Sequence, residues 1–302
     1  AADASGAASA KAAEVPSKTP WDLEDTDDPV EDKIYLDAAA FGAGSCCTQV
    51  TCLCPNLSDA RYLYDQLLVL APLFLPLTAS APFWRGMVAA TDTRMEAFRE
   101  TWDDRTPSEV DQGRPRCSRA ATSPQVFLAD TGPLLGHEAD YNDVEATVHE
   151  PSLDRLLRSG LDRPLATHVA QLFARDPLNV FRERLEVDNA LVGDHWEQLQ
   201  SSNWGTVRFK PPPAQSANPE GKIGWRVELR TPEAQATDFE NAAVIVVARV
   251  LAQQILEERW DVYQPISVVE ENLRRSEGVA AVTRSRFRFR RDFLGGETND
   301  LG

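Results

Sequence analysis

Four stretches of the chain alternate polar and apolar residues with a period of two. This is the pattern of strands that show one face to a core and the other to water. Over 46–54, Cys47, Gln49 and Thr51 share one face, and Val50, Cys52 and Cys54 share the other. Thr206, Arg208 and Lys210 face away from Val207 and Phe209, and Arg226, Glu228 and Arg230 face away from Trp225, Val227 and Leu229. Arg286, Arg288 and Arg290 alternate with Phe287 and Phe289 in the same way. The helical period appears between these stretches. Ser58-Asp59 predicts the cap of a helix over 59–71, ended by Pro72. The apolar stretch from Leu67 to Ala81 reads as a buried helix broken at its prolines. Shorter helices are expected over 154–158 and 164–175. The longest is expected over 238–260, and its almost wholly apolar segment from Ala242 to Leu251 predicts burial. Gly42-Ala43-Gly44 reads as a flexible turn, and 106–125 and 211–221 read as loops. The expected class is α+β, an antiparallel sheet backed by helices.

Charge changes this picture in one place. The 302 residues hold 31 Lys+Arg against 47 Asp+Glu, a net charge of −16. Residues 1–33 alone hold nine acids and three lysines, with no apolar periodicity, so they predict a disordered acidic linker or insertion. The acidic balance argues against a general nucleic-acid binder, which needs clustered cations. The Arg-rich run from Arg284 to Arg291 reads as one more strand. No run of 18 apolar residues occurs, so no membrane span is expected. Of the five cysteines, four fall between Cys46 and Cys54. With no second Cys/His pair at zinc spacing, they read as reduced thiols of a cytoplasmic protein.

Within this acidic chain, the polar faces of the predicted strands carry mostly Arg and Lys, with Glu228 and Gln49 among them. Cations suit phosphate oxygens, and carboxylate or amide oxygens suit Mg2+. Neither a P-loop nor a dinucleotide-binding glycine motif is present. The pattern predicts a nucleotide-dependent enzyme with its site on a sheet face.

Several longer blocks carry a resemblance. They are Phe41-Gly-Ala-Gly-Ser-Cys-Cys-Thr-Gln-Val-Thr51, Ala60-Arg-Tyr-Leu-Tyr-Asp-Gln-Leu67, Ala81-Pro-Phe-Trp-Arg-Gly86 and Trp102-Asp-Asp-Arg-Thr106, followed by Gln200-Ser-Ser-Asn-Trp-Gly-Thr-Val-Arg-Phe-Lys210, Gly224-Trp-Arg-Val-Glu-Leu-Arg230 and Thr237-Asp-Phe-Glu-Asn241. Together the chain resembles the eukaryotic glutamate–cysteine ligase catalytic subunit over roughly 34–293. The resemblance implies a glutamine-synthetase-like funnel, a curved antiparallel sheet backed by helices and here incomplete at both ends. It implies ATP-dependent joining of L-cysteine to the γ-carboxyl of L-glutamate through γ-glutamyl phosphate, the first step of glutathione synthesis, with Mg2+ as cofactor. Gln49 and Glu228 match metal-ligand positions. Lys210 and Arg230 match ATP-phosphate and catalytic positions. Arg94 matches a glutamate-holding position, Cys47 lines that pocket, and Tyr141 and Trp204 are candidates for the cysteine pocket. A modifier subunit is a possible partner. The family is longer at both ends and keeps further metal-binding glutamates before the matched region, so the chain reads as a central piece without activity of its own. The alternative is a non-catalytic regulatory or interaction fragment of the same fold.

Overall fold

The computed structural model describes residues 33–116, 118–120, 125–213 and 220–294. The predicted acidic linker, apart from Lys33, and most of the second half of the proline-rich loop lie outside these residues. Contacts divide the chain between Tyr35 and Leu36. Lys33 to Tyr35 carry no regular structure, and the elements below all belong to the second unit.

In chain order these are α1 (Ala39–Ala43), β1 (Val50–Leu53), α2 (Leu57–Leu77), β2 (Phe83–Trp84), β3 (Met87–Val88), α3 (Met95–Thr101), α4 (Pro107–Gln112) and α5 (Glu138–Tyr141), followed by α6 (Glu150–Arg158), α7 (Arg163–Leu172), α8 (Asp194–Ser201), β4 (Val207–Lys210), β5 (Arg226–Leu229), α9 (Asp238–Glu258), α10 (Ile266–Ser276) and α11 (Ala281–Arg284). The class is α+β. β1, β5 and β4 form an antiparallel sheet in that order, and β2 and β3 form a separate pair. Thr51, Glu228 and Arg208 stand in one row across the three strands, so the three polar faces predicted from the alternation make one surface. Val50, Cys52, Val207, Phe209, Val227 and Leu229 fill the other face and pack into the main core. α2 lies under β4 and β5, and α9 under β1.

α2 differs from its prediction at both ends. Its cap is Asn56, whose side chain accepts the Asp59 N–H at 2.8 Å, and not Ser58. It also runs unbroken through Pro72 and Pro76. Each proline removes one N–H from the helical ladder. Both sit within the buried length of α2, where packing outweighs the lost bond. Gly42 is helical, inside α1, and not part of a flexible turn. A Cβ there would lie 3.0 Å from the Phe98 Cα, so the glycine lets α1 approach α3. The 106–125 loop contains α4, which starts on a Thr106/Glu109 capping box.

The core of α2 is polar as well as apolar. Asp65 is fully buried and accepts the Leu128 N–H at 2.7 Å, the Ala129 N–H at 2.8 Å and the Tyr263 O–H at 2.8 Å. Asp65→Asn replaces an acceptor oxygen by a donor and leaves at least one buried donor unmet. The expected loss is about 2 kcal/mol of unfolding free energy, read by urea denaturation. An unchanged midpoint would show that the network carries no stability.

Two expectations are corrected. The 286–290 segment is not a strand: its backbone is held by the Asn272 side chain, which accepts the Arg288 N–H at 2.9 Å and donates to the Arg288 carbonyl at 2.8 Å. Its arginines are therefore not part of the sheet face. The apolar length of α9 is also mostly not buried. Ala248, Ala252 and Ile255 are buried in the core and Leu251 and Leu256 pack against it, while Phe239, Val246, Val247 and Val250 are open. By length and composition alone α9 passes as a helix that could cross a membrane.

Candidate functional site

The polar face of the sheet is built around one carboxylate. Glu228, on the central strand, is buried and accepts from Lys210 Nζ at 2.7 Å, Arg230 Nη1 at 2.6 Å and the Thr51 hydroxyl at 3.0 Å. Each flanking strand contributes one of these partners, because alternation puts Thr51 and Lys210 on the same face as Glu228. Burial alone would raise the Glu228 carboxyl. The Lys210 hydrogen bond, the Arg230 and Lys210 charges and the Thr51 hydroxyl outweigh burial and hold it down at about 2. Arg208, beside Glu228 in the row, is pushed down to about 10 by burial and by the Arg230 charge. The surface is therefore cationic, with its one acid already engaged.

A cleft of about 220 Å3 opens at the Arg230 end of this surface. Cys47, Gln49, Arg94, Trp204 and Arg230 all line it. Its volume falls below the ~300 Å3 at which drug-sized sites begin, so it suits a small metabolite. Arg94 stands at the start of α3 and is 5% exposed. Its Nη2 donates to the Arg230 carbonyl at 2.8 Å, and its guanidinium lies 5.6 Å from the Phe98 ring centre. Its Nε is buried without a hydrogen-bond partner. Burial lowers its pKa, and the Glu233 charge opposes the fall. A buried guanidinium with an unmet N–H calls for an anion such as a carboxylate. The Cys47 thiol is free, and its Sγ accepts from Gln49 Nε2 at 3.5 Å.

The alternation signal missed some of the supporting residues. Glu233 is fully buried and accepts the Arg94 backbone N–H, the Ser80 N–H at 2.8 Å and the Ser80 O–H at 3.2 Å. Burial raises its carboxyl, and these donors oppose the rise. Its backbone bridges to Cys47, so this one residue ties the start of α3 to the backbone at Cys47. Phe98 and Trp102, which form an aromatic wall with the predicted Trp204, were missed too. Trp204 lies 4.8 Å from Trp102 and 5.8 Å from Phe98 between ring centres. The Trp204 backbone N–H donates to the Arg119 carbonyl at 2.8 Å, and Asp104 pairs with both Arg119 and Arg175. Beyond Trp204 lies a second cavity of about 120 Å3, bordered by His168, Gln171 and Arg175.

Tyr141 is not brought to the cleft. It packs 5.7 Å from Tyr263 and against the main core. No cluster of three or more His, Cys, Asp or Glu that could share a metal occurs among the described residues. Glu228 is occupied by three donors and Gln49 is a neutral amide, so these residues alone do not fit a divalent cation.

A glutamate-cysteine ligase family model matches residues 4–300. The glutamate–cysteine ligase catalytic subunit of Mus musculus is 41% identical over 277 residues, covering 92% of this chain and 43% of that protein. The catalytic subunit of Homo sapiens is 41% identical over 271 residues, 88% of this chain and 41% of that protein. The glutamate–cysteine ligase of Dictyostelium discoideum is 36% identical over 270 residues, 88% of this chain and 42% of that protein. The chain thus spans about two-fifths of the length of the curated relatives it matches. On the extent of these matches, the chain belongs to the glutamate–cysteine ligase family.

Proposed function

We propose that this chain supplies the glutamate-holding and phosphate-facing part of a glutamate–cysteine ligase site. The observation that carries this reading is the convergence of Arg94, Cys47 and Arg230 on one small cleft beside the cationic sheet face, where Lys210 and Arg230 both pair with Glu228. In the reaction, an oxygen of the glutamate γ-carboxylate takes the γ-phosphoryl group of ATP, and ADP leaves. The amine of L-cysteine then attacks the acyl carbon, phosphate departs, and the amine gives up its proton. Arg94 holds a carboxylate of L-glutamate. Lys210 and Arg230 face the phosphates and offset the charge that builds on the transferred group. Phe98, Trp102 and Trp204 wall the cleft from water, and Cys47 lines it. Trp204 stands where the amine substrate would approach, whereas Tyr141 is remote from the cleft and has no part in this reading.

The Mg2+ of the family's reaction needs more carboxylates than Glu228 and Gln49 provide, so no step here passes through it. The glutamine-synthetase-like funnel is likewise part of the proposal, with the three-stranded sheet as its centre. The chain alone is expected to have negligible ligase activity, which favours a fragment role over a self-sufficient enzyme. Isothermal calorimetry with L-glutamate, paired with a coupled ATP/L-cysteine assay, tests both parts. The expected result is glutamate binding without turnover. Absence of glutamate binding overturns the site reading, and normal turnover overturns the inactivity.

A further inference from the structure

The segment between α7 and α8 borders a cavity that the substrate site does not use. Its volume is about 350 Å3, larger than the cleft, and it shares no lining residue with the cleft. Phe173, Pro177, Val180, Phe181 and Leu199 give it apolar walls. Phe173 is 42% exposed and Phe181 52%, so both rings are open to a ligand. A cavity above ~300 Å3 with apolar and aromatic walls and a few polar groups is the usual form of a small-molecule site.

The charges around this cavity are unequally satisfied. Arg184 Nη1 pairs with Asp194 Oδ1 at 2.9 Å, and Arg175 pairs with Asp104. The histidines are engaged as well. His195 Nε2 donates to the Arg184 carbonyl at 2.7 Å, and His149 Nδ1 lies 2.8 Å from the Ser152 hydroxyl. Asp176 also lines the cavity, and it makes no hydrogen bond or ion pair among the described residues. The one full charge of the lining left without a counter-charge is therefore negative.

The segment that carries Asp176 is held in place at both ends. The Ala174 N–H donates to the Gln171 carbonyl at 3.1 Å, and the Leu178 N–H donates to the Ser202 hydroxyl at 2.9 Å. That hydroxyl donates in turn to the Gln198 carbonyl of α8 at 2.7 Å. A wall fixed in advance lowers the ordering cost of binding.

We propose that this cavity binds a small organic cation, a protonated amine on an aromatic body. Asp176 supplies the counter-charge for the ammonium, and Phe173 and Phe181 pack against the ring. An exposed carboxylate alone contributes little to holding a cation. The two phenyl rings add apolar contact and the attraction of a cation for a π face. An anion fits less well, because the arginines and histidines of the lining are already engaged and Asp176 repels it. The inference is independent of the glutamate reading, since the two sites have no residue in common.

Isothermal calorimetry of this chain with phenethylamine at pH 7, where the amine is protonated, tests the site. Saturable one-site binding is expected in the micromolar-to-millimolar range. Asp176→Asn and Phe181→Ala are each expected to weaken it at least ~5-fold. Phenylacetate keeps the ring and reverses the charge, and is expected to bind at least ~10-fold more weakly than phenethylamine. Both substituted positions are exposed, and circular dichroism checks that both variants are folded. Three results overturn the proposal: no saturable binding of phenethylamine at millimolar concentration; phenylacetate bound as tightly as phenethylamine; or phenethylamine affinity indifferent to either substitution.

Discussion

Glu228→Gln is expected to destabilise the protein by about 3 kcal/mol at neutral pH, at the lower end of the range for removing one partner of a buried ion pair. The amide keeps the shape and one acceptor oxygen. It leaves Lys210 and Arg230 without a counter-charge on a face that also holds Arg208. The pH dependence has a definite sign. The Glu228 carboxyl is depressed to about 2 in the folded protein, from 4.5 ordinarily. Its contribution is therefore complete above about 4.5 and is lost as pH falls from there through about 2. Urea denaturation at pH 7 and pH 3 reads both effects. The two proteins should differ most at pH 7, and the gap should narrow at pH 3. An equal gap at both values would mean that the carboxylate is not the hub of the surface.

Arg94→Lys is expected to weaken L-glutamate binding at least tenfold, about 1.4 kcal/mol, while keeping the positive charge. An ammonium cannot reproduce the planar fork that meets a carboxylate through two parallel hydrogen bonds. Nor does it carry an N–H at the position of Nε, which is buried without a partner. Arg94 also donates to the Arg230 carbonyl, so the variant's melting temperature is measured alongside. Loss of binding with a preserved melting temperature supports the role in substrate holding. Unchanged affinity measured by calorimetry removes Arg94 from the site.

The sheet surface was legible in the sequence because strand alternation is a local rule with long-range consequences. Once Thr51, Glu228 and Arg208 were placed on polar faces, antiparallel pairing could bring them together only on one surface. The same rule misled at Arg286 to Arg290. That backbone is hydrogen-bonded by the Asn272 and Arg275 side chains and not by a neighbouring strand, and alternation cannot tell the two apart. Pro72 and Pro76 misled in the opposite direction. A local helix-breaking preference yielded to tertiary packing around α2. The apolar run of α9 gave the right helix and the wrong burial, because composition says what a surface prefers and not what covers it. Glu233 left no trace in any pattern. It works through backbone N–H groups of Arg94 and Ser80, and those contacts exist only once the chain has folded. Tyr141 was assigned by resemblance alone, and the geometry places it against Tyr263, away from the cleft.

The close approach of Trp102 and Trp204 has an optical consequence. Two indoles 4.8 Å apart and inclined by 54° are near enough for their excited states to couple, and both line the same cleft. The protein thus carries its own reporter at the point where a substrate would enter. A ligand that moves Trp204 changes the paired chromophore as a unit, and the change is visible in near-ultraviolet circular dichroism without any label.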